Sequence, residues 1–282
     1  FVLDNSLPAV QALTAESSLS YDLHYTMKDA DGDLSSAVLT ITITGADDSA
    51  TVVTASAEGP DATVYEQGLT SDGDTSETVT GSFSVSATDG IASITVGGTT
   101  FTFAQVQALS VTNQMVNTGE GMLTLTNYVG DGVSGTVSYS YTLSATIDND
   151  SKEGATDTHF DDSVEISVLG VGGSTADDDL VIRIIDDTPS AVDDGPFGVV
   201  EDGVSLVSGN VLDNDSAGAD ESKVFEAWTA GAENNAAAIA ALQGYGTLTL
   251  GAGGVYSFVL DNSLPAVQAL TAESSLSYDL HY

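Results

Sequence analysis

At 282 residues with 41% apolar side chains, the chain is long enough for two sandwich-sized domains and apolar enough to bury a core, which excludes a disordered acidic tail. Asp and Glu number 42 against 4 Lys and Arg, a formal charge of −38 that repels nucleic-acid phosphates and anionic membranes and calls for an external cation to offset self-repulsion. There is no cysteine to form a disulfide, and no apolar run approaches the roughly 20 residues of a membrane-spanning helix.

Residues 1–25, FVLDNSLPAVQALTAESSLSYDLHY, recur unchanged at 258–282, giving a period of 258 − 1 = 257 residues. A long, near-identical unit reads as a piece of a tandem array. Pro8–Glu16 and its copy Pro265–Glu273 read as short helical turns, with Pro at a first-turn position. After Tyr25 the spacing predicts a strand, an acidic loop and an alternating strand over Ala37–Thr44, followed by the doubled acid Asp47-Asp48 as a linker. A starting strand near Val64–Leu69 places Glu66 just inside the next module. Short alternating strands with Gly, Asn, Asp and Ser turns follow, as in GSFSVSATDGIASITVGGTTFTF, with a helical turn at Ala104–Leu109.

Tyr139–Ile185 repeats the plan of strand, loop, acidic run (Asp177–Asp179) and closing strand, and it ends at Asp186-Asp187. A second starting strand near Val199–Leu206 carries Glu201, and a helical turn at Asn235–Leu242 precedes the second copy of the repeat. The expected fold class is all-β, tandem sandwiches with a few short helical turns. Residues 49–189 form a complete sandwich in this reading. Residues 1–48 are the C-terminal part of a split one, and 190–282 the N-terminal part of its next copy.

Calcium takes six to eight oxygens from carboxylates, carbonyls and water, and alternate Asp residues in a loop turn several carboxylates to one centre. The clearest candidate is Asp29-Ala-Asp31-Gly-Asp33, followed by Asp213-Asn-Asp215 and Asp148-Asn-Asp150. The linker acids Asp47, Asp48, Asp186 and Asp187, with Asp193 and Asp194, are expected to join Glu66 or Glu201 between modules. None is an EF-hand: the first loop has Leu34 where position six needs Gly, and Thr40 where position twelve needs Glu. A merely supersoluble surface would scatter its acids, whereas these cluster at strand ends. For Asp161–Asp162 and Asp177–Asp179 a solvated turn serves as well as an ion.

Enzymatic chemistry finds little support. Paired carboxylates for a glycosidase are always available among 42 acids, and surface or calcium roles account for them better. No nucleophile elbow, phosphate-cradling loop or dinucleotide fingerprint is present. Trp228, Tyr139 and Tyr141 read as core packing before a sugar-binding face, and the alternating Thr40–Thr44 stretch as a half-buried strand before an ice-ordering array. His24 and His281 read as cross-strand packers, which with the absence of cysteine leaves zinc unsupported. The sequons at Asn149 and Asn214 lie inside proposed calcium loops.

The stretch from about 190 through VLDNDSAG (211–218) and YSFVLDNSLPAVQAL, continued by YTMKDADGDLSSAVLTITITG, resembles VCBS-type, cadherin-like repeats. Residues 49–189 are similar to related repeats of type I-secreted adhesins, so nearly the whole chain resembles the extender region of a bacterial RTX adhesin. The resemblance implies a string of immunoglobulin-like sandwiches on the cell surface with calcium at their linkers. It also implies neighbouring identical repeats in cis and a role in holding a distal adhesive domain out during attachment and biofilm formation. The split module further implies a strand-complementing contact.

Overall fold

Period-2 alternation governs the chain: in strand after strand one face is apolar and the next residue polar, and the apolar faces find each other. The computed structural model describes all residues except 12, 14, 16, 47, 58, 72, 221 and 229–234, with Pro8 described by its backbone alone. It is all-β with short helices and comprises two units, Phe1–Asp186 and Asp187–Tyr282.

The first unit opens with helix α1 (Pro8–Gln11) and the hairpin of β1 (Ser18–Lys28) and β2 (Leu34–Thr44), which pair antiparallel along their whole length. Ten strands follow: β3 (Ala50–Val53), β4 (Ala62–Tyr65), β5 (Thr78–Ala87), β6 (Ile91–Val96), β7 (Thr99–Thr102), β8 (Gln114–Asn117), β9 (Gly121–Gly130), β10 (Ser134–Leu143), β11 (His159–Gly170) and β12 (Thr175–Ile185). Helix α2 (Phe103–Gln107) lies between β7 and β8, and its Thr102–Gln105 capping box supplies the acceptors its first turn needs.

These strands form two five-stranded sheets, β3-β5-β10-β9-β8 and β4-β12-β11-β6-β7, with β4 parallel to β12 and every other pair antiparallel. The order is A-B-E-D facing G-F-C, the arrangement of an immunoglobulin-like sandwich. One core joins the two sheets: Phe83, Val85, Tyr139 and Tyr141 from one side pack with Ile94, Ile166, Leu180 and Ile182 from the other. Tyr139 and Tyr141 are core side chains, 2% and 0% exposed, as their alternation predicts.

The second unit holds β13 (Leu206–Asn210), helix α3 (Ala236–Gln243), β14 (Gly246–Leu250), β15 (Val255–Leu260) and helix α4 (Pro265–Gln268). Its three strands pair in the order β13-β15-β14 over a small core of Phe258, Leu260 and Val267.

Several local expectations shift. The starting strand expected near Val199–Leu206 is a turn, closed by Val200 N donating to Val204 O, and pairing begins at Leu206. The 177–179 acids and Asp161–Asp162 lie inside the paired strands β12 and β11 instead of in solvated turns. His24 stands on β1 opposite Val38 and exposed, whereas His281 is outside any strand.

Candidate metal centre

Strand β4 ends at Tyr65 and the chain tightens into a 3₁₀ turn over Glu66–Thr70, which drives the Glu66 side chain into the end of the sandwich. Glu66 is 0% exposed, and its Oε1 accepts the backbone N–H of Ile147 at 2.6 Å. Strand β12 ends at Ile185 in the same region, so that a carboxylate oxygen of Asp186 comes within 4.8 Å of one on Glu66. Glu77 packs against Gly68, whose Cβ-less backbone makes room for the Glu77 amide and carboxylate. Glu77 Oε2 is buried here without a hydrogen bond.

Sequestering several oxygens together costs free energy unless donors or a cation meet them. The donor set is all oxygen, hard and acidic, and it fits a calcium ion. Glu66 and Asp186 would supply charged ligands, with Glu77 packed against the same 3₁₀ turn at Gly68.

The opposite end of β12 follows the 170–174 turn. There Asp89 accepts the Gly172 amide and the Ser174 hydroxyl (3.1 Å), with the Asp48 carboxylate lying alongside Gly172. The 11 residues of β12 separate the two acidic ends by about 36 Å. The chain enters the sandwich beside Asp48 and leaves it at Asp186.

Asp29, Asp31 and Asp33 bring carboxylate oxygens within 4.8 Å of one another at the tip of the β1–β2 hairpin, all three exposed. Asp29 Oδ1 already accepts the amides of Gly32 (2.9 Å) and Asp33 (2.7 Å), and Gly32 takes the left-handed φ of 111° the turn needs. A hydrogen bond with the Asp31 carboxyl, then the Asp33 amide, hold Asp29 below the usual carboxylate range.

In the second unit the 213–215 loop staples the incoming chain. Asp215 accepts the Val192 amide at 2.8 Å, and Asn214 Nδ2 donates to the carbonyls of Val192 and Asp193. Asp194 accepts the Tyr282 hydroxyl at 3.1 Å; burial first, then this bond and the surrounding acids, push that phenol up to about 12. Lys223 Nζ donates to the carbonyls of Leu212 (2.6 Å) and Asp215 (3.1 Å). Asp187 accepts the Ala219 amide at 2.7 Å.

Glu201 accepts from Gln268 at 2.9 Å, a role unlike that of Glu66. Among the described residues, Asp148, Asp150, Asp193, Asp194, Glu201, Asp213 and Asp215 do not converge in threes, and Asp47 lies outside the described residues. Asp148 instead accepts the Ser151 hydroxyl at 2.6 Å, closing its own turn.

Sequence reasoning missed Glu77, Asp89 and Asp61. Asp61 joins two segments by accepting Ser56 N (2.7 Å) and Val181 N (2.8 Å). Only Asp89 carried a signal, the Asp-Gly turn between β5 and β6. Trp228, half-buried, packs against Phe225 and Tyr282 and donates to Gly251 O at 2.9 Å.

No family model matches the chain. No curated protein matches it either. Among solved structures it is similar to the mouse clustered protocadherin PcdhgC3 EC1-3, with 13% identity over 89% of this chain and 69% of that one and a TM-score of 0.26. Further likenesses are the Protocadherin GammaB4 extracellular domain (9% identity, 85% of this chain and 32% of that one, TM-score 0.25) and SGBP-B of Bacteroides ovatus, solved with a mixed-linkage heptasaccharide (13%, 65%, 34%, 0.18). The chain spans about a third of the length of these last two. At these scores none bears on what this chain binds, and its own strand order is what shows an immunoglobulin-like, all-β architecture.

Proposed function

We propose that the chain is a calcium-stiffened structural spacer of a long extracellular surface protein, an extender of the RTX-adhesin kind that carries a distal adhesive domain for attachment and biofilm formation. The observation that carries this reading is the pole-to-pole placement of acids on the sandwich. A fully buried Glu66 meets Asp186 where the chain leaves, and Asp48 lies beside the Asp89 turn where it enters. Calcium at such poles fixes the angle between consecutive modules, and an unneutralised charge of −38 lets them flex. In this reading the neighbours in cis are further copies of the same repeat. Catalysis has no part in it.

Extracellular modules bind calcium at about 0.1–1 mM. At 1 mM calcium a site with Kd near 0.1 mM stabilises the sandwich by about 1.4 kcal/mol, a rise of roughly 5 °C in Tm. Small-angle scattering and calorimetry with calcium and with EDTA test the proposal. The expected result is a longer, stiffer particle and a higher Tm in calcium; unchanged length together with unchanged melting rejects it.

A further inference from the structure

In a chain 16% charged, the five strands β3, β5, β8, β9 and β10 hold no Asp, Glu, Lys, Arg or His. The other sheet of the sandwich carries Asp161, Glu165, Asp177 and Asp179 on its outer side against the single guanidinium of Arg183, and Glu165 stands directly across from Asp179. Around the neutral sheet acids begin only in the connections, as at Glu77, Asp89, Glu120 and Asp131. The sandwich is two-faced, acidic on one outer surface and uncharged on the other.

Alternation sets what the neutral surface is made of. Its aromatic residues Phe83, Tyr128, Tyr139 and Tyr141 all lie on the core side. The antiparallel register arranges the outward residues in rows, and Val53–Ser84–Thr136–Val129 and Thr80–Ser140–Thr124–Met115 each cross four strands. Hydroxyls fill the middle of these rows, and apolar side chains close them: Val53, Met115 and Val129 are 57%, 63% and 66% exposed. Neighbouring hydroxyls meet across the strands, Thr78–Thr142 at 3.0 Å and Ser84–Thr136 at 3.3 Å. A hydroxyl has one hydrogen and two lone pairs, so such a field can donate to and accept from its own likeness. Carboxylates accept only, and cannot.

We propose that this neutral sheet is a self-association surface, on which a second copy of the chain seats the same sheet face to face about a two-fold axis. Charge selects the occupant. Two chains of −38 repel one another through any acidic face. Packed sheets lie about 10 Å apart, so stacking the neutral sheets sets the two acidic ones about 30 Å from each other, well beyond a Debye length of about 8 Å at physiological salt. The area suffices. Three ten-residue strands and two short edges, at about 3.4 Å per residue and 4.8 Å per strand, offer roughly 600 Å² of face per copy. Two such faces reach the lower bound of about 1,200 Å² for a specific interface. A sheet face without an outward ring offers a sugar no stacking platform. Because the same patch serves both copies, the contact closes at two. It uses the sandwich alone and stands whether or not calcium binds at the poles.

Sedimentation equilibrium of the 282-residue chain in EDTA, from about 5 to 500 µM, tests this. The chain is expected to form dimers, and to form them more tightly in about 0.5 M than in about 0.05 M NaCl, because salt screens the remaining repulsion. Ser82→Asp with Thr124→Asp on the neutral face is expected to weaken dimerisation at least about tenfold. Ser163→Asp with Thr95→Asp adds the same charge to the acidic sheet and is expected to leave dimerisation nearly unchanged. Ser82→Asn with Thr124→Asn enlarges the same side chains without charge and is expected to retain it, which separates charge from a folding defect. A chain monomeric at every concentration in both salts overturns the proposal. So do equal losses from the two acidic pairs, a loss from the Asn pair as large as from the Asp pair, association weakened by salt, or assembly that grows past the dimer. A monomer retained on immobilised dextran, with retention lost in the Ser82→Asp, Thr124→Asp variant, assigns the face to a neutral glycan and likewise excludes the second copy.

Discussion

Glu66 and Asp162 are both buried carboxylates of the same sandwich, but they meet burial differently. Glu66 lies among oxygens, and Glu66→Gln keeps its shape and its acceptor for Ile147 N–H while removing the charge. The variant is expected to melt near the parent in EDTA and to lose most of the calcium-induced rise of roughly 5 °C in Tm; an undiminished rise clears Glu66 of any part in binding. Asp162 instead accepts Thr118 Oγ1 at 2.6 Å and Tyr141 OH at 2.8 Å on one oxygen, and burial, the larger effect, pushes its carboxyl up. An acid raised on folding contributes stability at low pH, and that contribution is lost as pH rises from the ordinary carboxylate range through the raised value. Asp162→Asn keeps an acceptor for both donors and cannot ionise. Its Tm is therefore expected to match the parent near pH 4 and exceed it near pH 7, and a lower Tm at pH 7 refutes this sign. Asp161 runs the other way. The paired guanidinium of Arg183, both bonds at 2.8 Å, holds it below the usual range, so its contribution is present at neutral pH and lost as pH falls through the lowered value. The pair is about a third exposed, and Asp161→Asn at pH 7 is expected to cost under about 1 kcal/mol by urea titration.

At the scale of elements, cross-strand pairs tie sequence to packing. Gly81 stands opposite Tyr139 between β5 and β10, and a Cβ at Gly81 would run into the Tyr139 phenol. Gly81→Ala is expected to destabilise the sandwich by about 1–3 kcal/mol, read as a lower urea midpoint at an unchanged m-value; an unshifted midpoint would show that the ring moves freely. The sandwich strands were legible because each carries its own alternation, and so were the short helices, marked by Pro265 at its first turn and Ala-rich runs such as 236–241. What the sequence hid was depth. The run 177–179 looks like a loop by composition, yet Asp178 faces Thr54 and accepts its amide and hydroxyl at 3.0 Å inside a paired strand. Nothing local marks Glu77 as lying against Gly68, since that closeness is made by tertiary packing. The 199–206 stretch has the residues of a strand, but its Val200–Val204 turn and Asp202 at a φ of 54° end pairing before it starts.

For the whole molecule the question is whether its charge is met by sites or by atmosphere. Exposed acids are screened by any salt, whereas a bound ion at the sandwich poles is not replaced by sodium. Raising NaCl tenfold in EDTA is therefore expected to raise Tm less than 1 mM calcium does at constant ionic strength. Equal effects would mean that diffuse screening alone accounts for the acidity. The repeat gives the molecule a further property. The intrinsic rate at which an amide exchanges its hydrogen with water depends on neighbouring side chains, and those are the same for residues within 18–25 and 275–282 except at the outer edge of the repeat. The ratio of exchange rates at each matched pair then reports how much more strand β1 protects that amide than its second setting does, where the His281 amide donates to Asn235, with the chemistry cancelled inside a single polypeptide.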